Sequence, residues 1–277
     1  MGIKDSIPQT VKDTLKLIRI SRPVTAILGT PYPRPDHRTL QLDITYECNL
    51  SCPSCNRSCP QAVAEGRMTI EQIERFIEES VNNRREWKQL KIMGGEPVLH
   101  PEFFEIMDLL RDWKNKHYRE AEICIKTNGE GVQVNRVLDK VPRDVVIRRS
   151  PKEYVLENFY GYNIASEDLP LYRTLADFSV GCLIPHNCGI GLNRYGYYVC
   201  GNGAGVARVF GIDTARMKMP DEKDRMRDQT SRLCRYCGAF HHFISIARPR
   251  DPFTVTESWK EAFERYNVKP PELPEWG

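Results

Sequence analysis

Apolar and polar positions along the first half of the chain predict strands that alternate with amphipathic helices. Short apolar segments typical of strands occur at residues 40–46, 88–93, 121–127 and 144–149. Helical spacing of apolar residues follows between them, at residues 69–81, 101–113 and 132–141. Thr69 and Gln72 form a capping-box pattern at the start of the first of these helices. Repeated β–α units of this length predict an α/β fold with a parallel sheet and helical crossovers.

Two further segments flank this β–α region. Residues 7–20 place Ile7, Val11, Leu15 and Ile18 on one helical face, which we expect to pack against the main domain; binding to a membrane surface is the alternative. After about residue 158 the pattern changes to a long loop, and a β-hairpin is predicted near residues 193–199. The chain is therefore divided into three parts: residues 1–38, a helix and connector; residues 39–180, the β–α domain; and residues 181–277, a smaller module.

Composition and charge narrow the classes of function only slightly. The chain has 40% hydrophobic and 28% charged residues and a net charge of +3, which is too mild to indicate nucleic-acid binding. No apolar run approaches the roughly 20 residues that a membrane span needs, and the first ten residues do not resemble a signal peptide. We therefore expect a cytoplasmic protein with a small-molecule substrate and with no nucleic-acid or membrane partner.

The ten cysteines are many for a chain of 277 residues, and they occur in groups. In a reducing compartment, grouped cysteines are more often metal ligands or catalytic thiols than disulfides. The groups are Cys48, Cys52, Cys55 and Cys59; then Cys182, Cys188 and Cys200; then Cys234 and Cys237, while Cys124 stands alone.

The first group directly follows the first predicted strand. Cys48, Cys52 and Cys55 form a CxxxCxxC loop, whose three thiolates can hold three irons of a cubane cluster and leave the fourth iron open to another ligand. A structural zinc site would be closed by four ligands. The spacing therefore favours an open [4Fe-4S] cluster over the alternatives, a zinc loop or a redox disulfide.

This loop resembles the signature of the radical S-adenosylmethionine (SAM) superfamily, and three further segments extend the resemblance. Each lies at the carboxyl end of a predicted strand, where the sites of α/β barrels gather. These segments are Gly94, Gly95, Glu96 and Pro97 (GGEP), then Thr127 and Asn128 with the following glycine (TNG), then Ser150. The resemblance implies that these residues contact SAM, and that the open iron chelates its amino and carboxylate groups. It also implies a partial (β/α)6 TIM-type barrel and a 5′-deoxyadenosyl radical that abstracts hydrogen from substrate.

Two residues of the loop need separate interpretation. Members of the superfamily usually carry a bulky residue just before the third cysteine, near the adenine of SAM, whereas this chain has Ser54. Tyr46 is one residue that can substitute for it. Cys59 lies outside the motif, and we interpret it as a free thiol because three ligands are already assigned.

The second set of cysteines has the spacing C-x17-C-x33-C-x2-C. Four thiolates suit a closed [4Fe-4S] cluster or a structural zinc ion. The layout resembles the twitch module, a short form of the SPASM module that follows many radical SAM cores, with a β-hairpin and a helix. Within that group it is most similar to an aminocyclitol alcohol dehydrogenase of butirosin biosynthesis. The implied ligands of this auxiliary cluster are Cys182, Cys200, Cys234 and Cys237. Cys188 is an alternative ligand, a hydrogen donor to a substrate radical, or an inert thiol.

A redox-active second cluster predicts the chemistry. A substrate radical beside a hydroxyl acidifies that hydroxyl, and loss of the proton gives a species that readily yields an electron to a nearby cluster. We therefore predict an oxidoreductase that acts on a polyol, sugar or aminocyclitol, with a radical SAM epimerase or peptide-modifying enzyme and a non-catalytic zinc protein as alternatives. Arg148 or Arg149 is predicted to stabilise the developing alkoxide, and only one of them can face the site. Reduction of the first cluster needs a low-potential donor, which predicts flavodoxin or ferredoxin as a partner.

Five residues of the second half of the chain are further candidates for the substrate pocket, and two histidines near Cys237 are candidate ligands. The pocket candidates are Tyr160, Tyr162, His186, Asn193 and Arg194, and the histidines are His241 and His242.

Overall fold

A computed structural model describes residues 9–64, 66–150, 161–241 and 253–277 of the chain. Within these residues six strands form one sheet with the order β4-β3-β2-β1-β5-β6. The strands are β1 (Thr39–Thr45), β2 (Gln89–Gly94), β3 (Glu122–Thr127), β4 (Val146–Arg149), β5 (Ile190–Asn193) and β6 (Gly196–Tyr198). Strands β1 to β5 are parallel, and β6 returns antiparallel beside β5. The predicted α/β class with a mostly parallel sheet is thus confirmed.

Ten helices accompany this sheet in the described part of the chain. In the first half they are α1 (Gln9–Arg19), α2 (Arg22–Leu28), α3 (Ile70–Asn82), α4 (Phe103–His117) and α5 (Val132–Leu138). In the second half they are α6 (Pro170–Leu175), α7 (Ile184–Cys188), α8 (Gly201–Phe210), α9 (Arg227–Leu233) and α10 (Glu257–Val268). None of these helices has the length and apolarity that a membrane span requires.

The four strands predicted for the β–α region lie where the apolar pattern places them, and so do the three helices between them. At the start of α3, Thr69 Oγ1 accepts a hydrogen bond from Gln72 N, and the Gln72 side chain accepts one from Thr69 N, as the capping-box pattern predicts. The predicted hairpin is formed by β5 and β6. It pairs with β1 rather than with β4, so the sheet continues across the boundary predicted at residue 180.

The two faces of the sheet differ sharply in polarity. One face is apolar and packs against α3 and α4, with Leu42, Ile92 and Ile125 fully buried. Burial of each such side chain stabilises the fold by roughly 1.5–3 kcal/mol. The opposite face is polar, because strand residues alternate between faces. Neighbouring strands place their polar-face residues side by side. The aligned residues are Gln41, Lys91 and Cys124 in one row, Asp43 and Met93 in a second, and Lys126 and Arg148 in a third.

The N-terminal helix packs through a different face from the predicted one. Leu17 of α1 and Ile20, which follows the helix directly, are buried against a cluster that contains Tyr172 and Phe178. Val11, Leu15 and Ile18 are 45–56% exposed, and Ile7 lies outside the described residues. The prediction for this face was wrong, because helical spacing fixes which residues share a face but not which face meets the rest of the protein.

Helix α8 is buried on all sides and lies across the polar face of the sheet. Its residues from Gly201 to Val209 are all buried. A Cβ atom added at Gly201 would collide with the guanidinium of Arg57, and one added at Gly205 would lie 2.9 Å from the carbonyl oxygen of Asn56. The glycines therefore allow α8 to touch the chain just after Cys55.

Candidate cluster and cofactor site

The first cysteine loop leaves the carboxyl end of β1, and its three predicted ligands are half-buried. Cys48, Cys52 and Cys55 form no disulfide bond, and neither do the other seven cysteines. Burial, together with the charges of Cys55, Glu96 and Cys52, raises the pKa of Cys48 to about 11. Cys48 therefore lies near the other two thiols and near the carboxylate of the GGEP segment.

Cys59 lies directly beside one of these thiols. A hydrogen bond from Cys59 lowers the pKa of Cys55 to about 6, and the charge of Arg57 lowers it further. Cys59 itself is buried, and its own pKa is raised. The residue thus lies next to the predicted ligand set, near the loop as the sequence interpretation expects.

The two glycines of the GGEP segment are required by contact with the end of β1. An added Cβ at Gly94 would collide with the carbonyl oxygen of Thr45, and one at Gly95 would collide with that of Glu47. Gly94 also has a positive φ of 136°. Gly95 N donates to Thr45 O at 2.8 Å, which prolongs the pairing of β1 with β2 beyond the strands. The sequence attributed these glycines to contact with a ligand, whereas the structure gives them a backbone partner.

Glu96 joins the GGEP segment to the TNG segment. Its carboxylate is fully buried and accepts hydrogen bonds from Thr127 Oγ1 and from Asn128 N, both at 2.8 Å. Burial raises its pKa, and these two hydrogen bonds oppose that shift. Pro97 follows at once and begins a short 3-10 turn, Pro97–Leu99.

The TNG segment in turn contacts the cysteine loop. Asn128 Nδ2 donates to Asn49 Oδ1 at 2.9 Å and lies 3.9 Å from Cys48 Sγ. Asn49 Nδ2 donates back to the carbonyl oxygen of Glu130 at 2.8 Å. The ends of β1, β2 and β3 therefore meet in one hydrogen-bonded group, as their shared edge of the sheet predicts.

The three residues predicted at the end of β4 occupy different surroundings. Ser150 is exposed, and its N–H donates to Thr127 O at 2.8 Å, which keeps it beside the TNG segment. Arg149 donates to Asn135 Oδ1 at 2.6 Å and lies against Gly129. Arg148 is on the polar face, where it forms an ion pair with Glu122 at 2.8 Å. Alternation along β4 thus separates the two arginines, as expected.

The second set of cysteines is brought together by the fold. Four buried thiols line one cavity of about 320 Å³, otherwise walled mainly by apolar side chains such as Leu233 and Phe240. They are Cys182, Cys200, Cys234 and Cys237. Burial raises the pKa of each, and neighbouring cysteines raise it further in each case. Among the described residues no three Cys, His, Asp or Glu side chains converge closely enough to hold a single metal ion, and this holds for both sets of cysteines.

Cys188 lies near this cavity without lining it. It ends α7, is half-buried, and raises the pKa of both Cys182 and Cys200 after the larger effects of burial. Its carbonyl oxygen accepts a hydrogen bond from Lys91 Nζ at 3.0 Å, which connects it to the polar face of the sheet.

The Ser54 position has a structural role in connecting the two cysteine sites. Ser54 is buried, and its hydroxyl accepts hydrogen bonds from the backbone N–H groups of Gly161 and Tyr162, both at 3.0 Å. Gly238, just after Cys237, donates its N–H to Tyr162 O at 3.0 Å. The backbone at residues 161–162 therefore bridges the loop between Cys52 and Cys55 and the loop after Cys237.

Arg57 makes a second bridge, which the sequence did not single out. Its side chain is 1% exposed and pairs with Asp43 at 3.0 Å on the polar face of β1. It also donates to Asn202 Oδ1 at 3.0 Å, two residues after Cys200. Burial raises the pKa of Cys200 to about 11 and that of Cys237 to about 12, and the charge of Arg57 opposes both shifts. One cation thus acts on both cysteine sites. The signal available in the sequence was an aspartate within an otherwise buried strand, which requires a partner.

Most of the additional pocket candidates have structural partners instead. Tyr162 Oη donates to Asn202 O at 2.7 Å, and Asn193 Nδ2 donates to Tyr46 Oη at 2.7 Å, all of them buried. Tyr46 is thereby covered by the fold and also lies under the guanidinium of Arg208. Three further candidates also have partners: Arg194 pairs with Glu275, His186 contacts the carbonyl oxygen of Arg34, and His241 contacts Ser166. The last two candidates, Tyr160 and His242, lie outside the described residues.

Both sites fit the groups that the sequence implies. The first offers three half-buried thiols, open on one side, next to a buried carboxylate, which suits an open cluster with a bound amino acid moiety. The second offers four thiols around a largely apolar space, a donor set that suits a four-cysteine cluster or a structural zinc ion.

Comparison with known proteins gives matches to the part of the chain that contains the first site. The family model "Radical SAM superfamily" matches residues 42–144, which contain the first cysteine loop and the GGEP and TNG segments. A probable GTP 3′,8-cyclase of Pyrococcus horikoshii is 33% identical over 116 residues, which cover 42% of this chain and 30% of that protein. A 7,8-dihydro-6-hydroxymethylpterin dimethyltransferase of Methanocaldococcus jannaschii is 28% identical over 105 residues, which cover 35% of this chain and 21% of that protein.

These similarities are confined to part of each protein. The chain spans less than a third of the length of either relative. Among solved structures, that of BtrN in complex with AdoMet and 2-DOIA has a TM-score of 0.42 and 12% identity, with 74% of this chain and 88% of that chain covered. A likeness at this level carries no argument about either the fold or the chemistry.

Proposed function

We propose, on the premise that residues 42–144 form a radical SAM domain, that the chain cleaves SAM reductively and oxidises a small polyol, sugar or aminocyclitol. The observation that carries the first half is the joined group at the ends of β1, β2 and β3. Three thiols, the buried Glu96 and the Thr127–Asn128 pair lie at one edge of the sheet. The observation that carries the second half is the cavity lined by four further thiols.

Each residue then has a definite task. Cys48, Cys52 and Cys55 would hold one [4Fe-4S] cluster, and Cys182, Cys200, Cys234 and Cys237 would hold another. When bound, the first cluster with SAM supplies a 5′-deoxyadenosyl radical, and the second supplies a one-electron acceptor. Glu96 would accept from the ammonium of SAM through the lone pairs that Thr127 and Asn128 leave free.

The polar face of the sheet is the proposed surface for substrate. Lys91, Lys126 and Arg148 place three cations there, where Glu122 pairs with Arg148 and Asp43 pairs with Arg57. A cation beside a substrate hydroxyl would stabilise the alkoxide that forms when a radical develops on the adjacent carbon. Arg148 is therefore retained in the proposal, whereas Arg149 more directly supports the TNG segment through Asn135 and Gly129.

A second candidate function rests on Cys188. Its thiol is half-buried beside Lys91, at the border between the polar face and the auxiliary cavity. A thiol in that position could return a hydrogen atom to a substrate radical, which would make the chain an epimerase. Cys188→Ala separates the two functions: an epimerase would lose net epimerisation but still form 5′-deoxyadenosine, whereas an oxidoreductase would still form keto product.

The proposed function is tested by anaerobic reconstitution, metal analysis and SAM cleavage. We expect about eight iron and eight sulfide per chain, and 5′-deoxyadenosine after addition of SAM and dithionite. Cys48→Ala should abolish this product, and Cys234→Ala should remove only the auxiliary iron. Cys124→Ala is the matched control for iron content and for 5′-deoxyadenosine formed without substrate, because that buried thiol belongs to neither ligand set. Zinc in place of iron at both sites would refute the proposal in favour of a structural protein.

The proposal also concerns partners and location. A low-potential donor of the flavodoxin or ferredoxin type would reduce the first cluster. We propose a cytoplasmic location, because none of the ten cysteines forms a disulfide bond and a reducing compartment keeps thiols in that state.

A further inference from the structure

A second cavity lies at the amino end of the sheet, on the side opposite to the SAM loop. It has a volume of about 340 Å³ and is lined by residues that precede β1, such as Pro33 and Pro35, and residues that precede β5, such as Val180 and Gly181. The cysteine loop, in contrast, follows the carboxyl end of β1. Because β1 and β5 are parallel, the two sites open at opposite ends of the sheet.

The charged side chains that line this cavity are all cationic. Arg34, Arg225 and Arg227 line it and are exposed, and no aspartate or glutamate lines it with them. Arg227 donates to Ser179 Oγ at 3.2 Å, which holds that guanidinium at the rim. The ion pairs found within the described ranges involve none of these three arginines, unlike Arg216 nearby, which pairs with Asp224 and Asp228. Asp177 lies close to Arg227: burial raises the pKa of its carboxyl, whereas hydrogen bonds from Ser179 and Thr25 and the charge of Arg227 lower it overall, so the rim carries three arginines with one carboxylate near Arg227.

The wall of this cavity is also the wall of the auxiliary site. Cys182, Pro185 and Val199 line both the arginine-rimmed cavity and the cavity with the four thiols. One predicted cluster ligand, Cys182, therefore separates the arginine-rimmed cavity from the space in which a cluster would lie. An electron carrier seated on the arginines would be one side chain away from that space.

We propose that the cavity rimmed by Arg34, Arg225 and Arg227 is the docking site of a small acidic electron-carrier protein, which removes an electron from the auxiliary site. This inference rests on the proposed function, because it needs a redox-active group at the four thiols. Acidic carriers of the flavodoxin or ferredoxin type supply the complementary charge. The substrate is excluded as the occupant, because the radical forms at the opposite end of the sheet.

The electron balance of this step is simple. One electron passes from the reduced auxiliary site to the oxidised carrier, so the site is oxidised by one electron and the carrier is reduced by one. No bond is formed or broken between the two proteins. Each oxidation of substrate by this scheme deposits one electron at the auxiliary site, so one docking event restores it.

The test compares the reconstituted protein with the triple variant R34Q/R225Q/R227Q. Every protein in the assay also carries Cys48→Ala, Cys52→Ala and Cys55→Ala, so that the auxiliary site is the source of electrons. Each is reduced with dithionite, separated from the excess dithionite, and mixed with oxidised flavodoxin under anaerobic conditions. The second-order rate of flavodoxin reduction is followed by absorbance, and binding is measured separately by calorimetry. At low ionic strength we expect the variant rate to fall at least tenfold and its binding to weaken, because rim charges mainly accelerate association. Salt should slow the wild-type protein and change the variant little.

Two controls separate docking from a general charge effect. The triple variant K116Q/R119Q/R143Q removes three exposed cations near the β3–β4 side of the sheet, far from the cavity. It should keep the wild-type rate, and a neutral quinone should oxidise all three proteins equally. The docking site would be refuted if R34Q/R225Q/R227Q reduced flavodoxin as fast as the wild-type protein. It would also be refuted if the control variant K116Q/R119Q/R143Q lost as much of the rate as R34Q/R225Q/R227Q does. Inhibition by micromolar inorganic phosphate at constant ionic strength would also refute it, by identifying a small-anion site.

Failure of the proposed function gives a different result. If zinc is bound by the four thiols, neither the wild-type protein nor any variant can reduce flavodoxin through that site. Metal analysis then detects the zinc directly. Calorimetry still decides the docking half of the proposal in that case, since binding depends on the surface arginines and not on the metal. If R34Q/R225Q/R227Q binds flavodoxin as tightly as the wild-type protein does, the docking surface is rejected, whatever metal is present.

Discussion

At the scale of single residues, Glu96 shows how a motif residue can serve both the fold and a ligand. Its two oxygens each accept one hydrogen bond, from Thr127 Oγ1 and Asn128 N, which fixes the TNG segment beside the cysteine loop. A carboxylate has about four acceptor positions, so capacity remains for a cationic group of a ligand.

Glu96→Gln is expected to weaken SAM binding while the fold survives. The amide keeps the size of the side chain but removes the charge and directs an N–H toward one of the two donors. Loss of a charged hydrogen bond is worth about 1.5–3 kcal/mol, or roughly 10- to 100-fold in affinity. Equilibrium dialysis with SAM measures this, and Glu47→Gln is the control because Glu47 is an exposed carboxylate at the end of the adjacent strand. An unchanged dissociation constant in Glu96→Gln would contradict the assigned role.

Ser54 is the residue whose role the structure changes most. The sequence marked it as a departure at a position where a bulky side chain is usual, whereas its hydroxyl receives two backbone N–H groups from residues 161–162. The side chain is thus part of a connection between two loops and not an incomplete adenine pocket.

Ser54→Ala is expected to lower the free energy of unfolding by about 1–3 kcal/mol, because two buried N–H groups lose their acceptor. Iron content at the first site should change little, since the three cysteines remain. Thermal unfolding measures the effect, and Ser51→Ala in the same loop is the control because Ser51 is exposed. Equal unfolding temperatures for the two variants would show that the bridge adds no stability.

At the scale of elements, helix α8 connects the two halves of the chain. Cys200 is its N-cap, and the Cys200 thiol accepts a hydrogen bond from Gly203 N at 3.3 Å. Further along, Arg208 donates to Arg57 O and to Ala62 O, both at 2.7 Å. The helix therefore begins at one cysteine site and holds the chain just after the other.

Gly201→Ala and Gly203→Ala form a matched pair on this helix. A methyl group at Gly201 collides with Arg57, whereas one at Gly203 finds ordinary contacts, the nearest 3.4 Å away. Overpacking typically costs about 1–3 kcal/mol, so only Gly201→Ala should destabilise the protein strongly. Chemical denaturation of both variants checks this. Equal destabilisation would mean that α8 does not pack on Arg57 as described.

At the scale of the whole molecule, buried polar groups link the two cysteine sites. Arg57 contacts Asp43 on β1 and Asn202 on α8, and all three side chains are buried. The sites therefore belong to one cooperative unit, even though they derive from opposite ends of the sequence.

Arg57→Met is expected to reduce iron binding at both sites together. It leaves the Asp43 carboxylate buried and unpaired, at a cost of about 3–5 kcal/mol. The double variant Asp43→Asn/Arg57→Met also removes the unpaired buried carboxylate, and it should recover much of the lost free energy of unfolding. Iron and sulfide analysis, with Mössbauer spectra to separate the sites, measures the outcome. Loss of iron at only one site would show that the two sites fold independently.

Sequence alone predicted the strands and helices of the β–α region and the chemistry proposed for the first site. Strands, helices and the capping box follow from local spacing, and Cys48, Cys52 and Cys55 lie within eight residues, so their proximity needs no tertiary information. The GGEP and TNG segments were placed together because parallel strands end at a common edge.

Contacts between distant segments were decided only by the tertiary structure. The hairpin joins β1 rather than β4, α1 and the residue after it pack through Leu17 and Ile20, and Ser54 meets residues 161–162. Local patterns fix which residues share a face, but the partner of that face depends on the free energy of the whole packed chain. The same reason explains why Arg57 and the arginine-rimmed cavity were not foreseen: their residues meet only when the sheet and α8 are assembled.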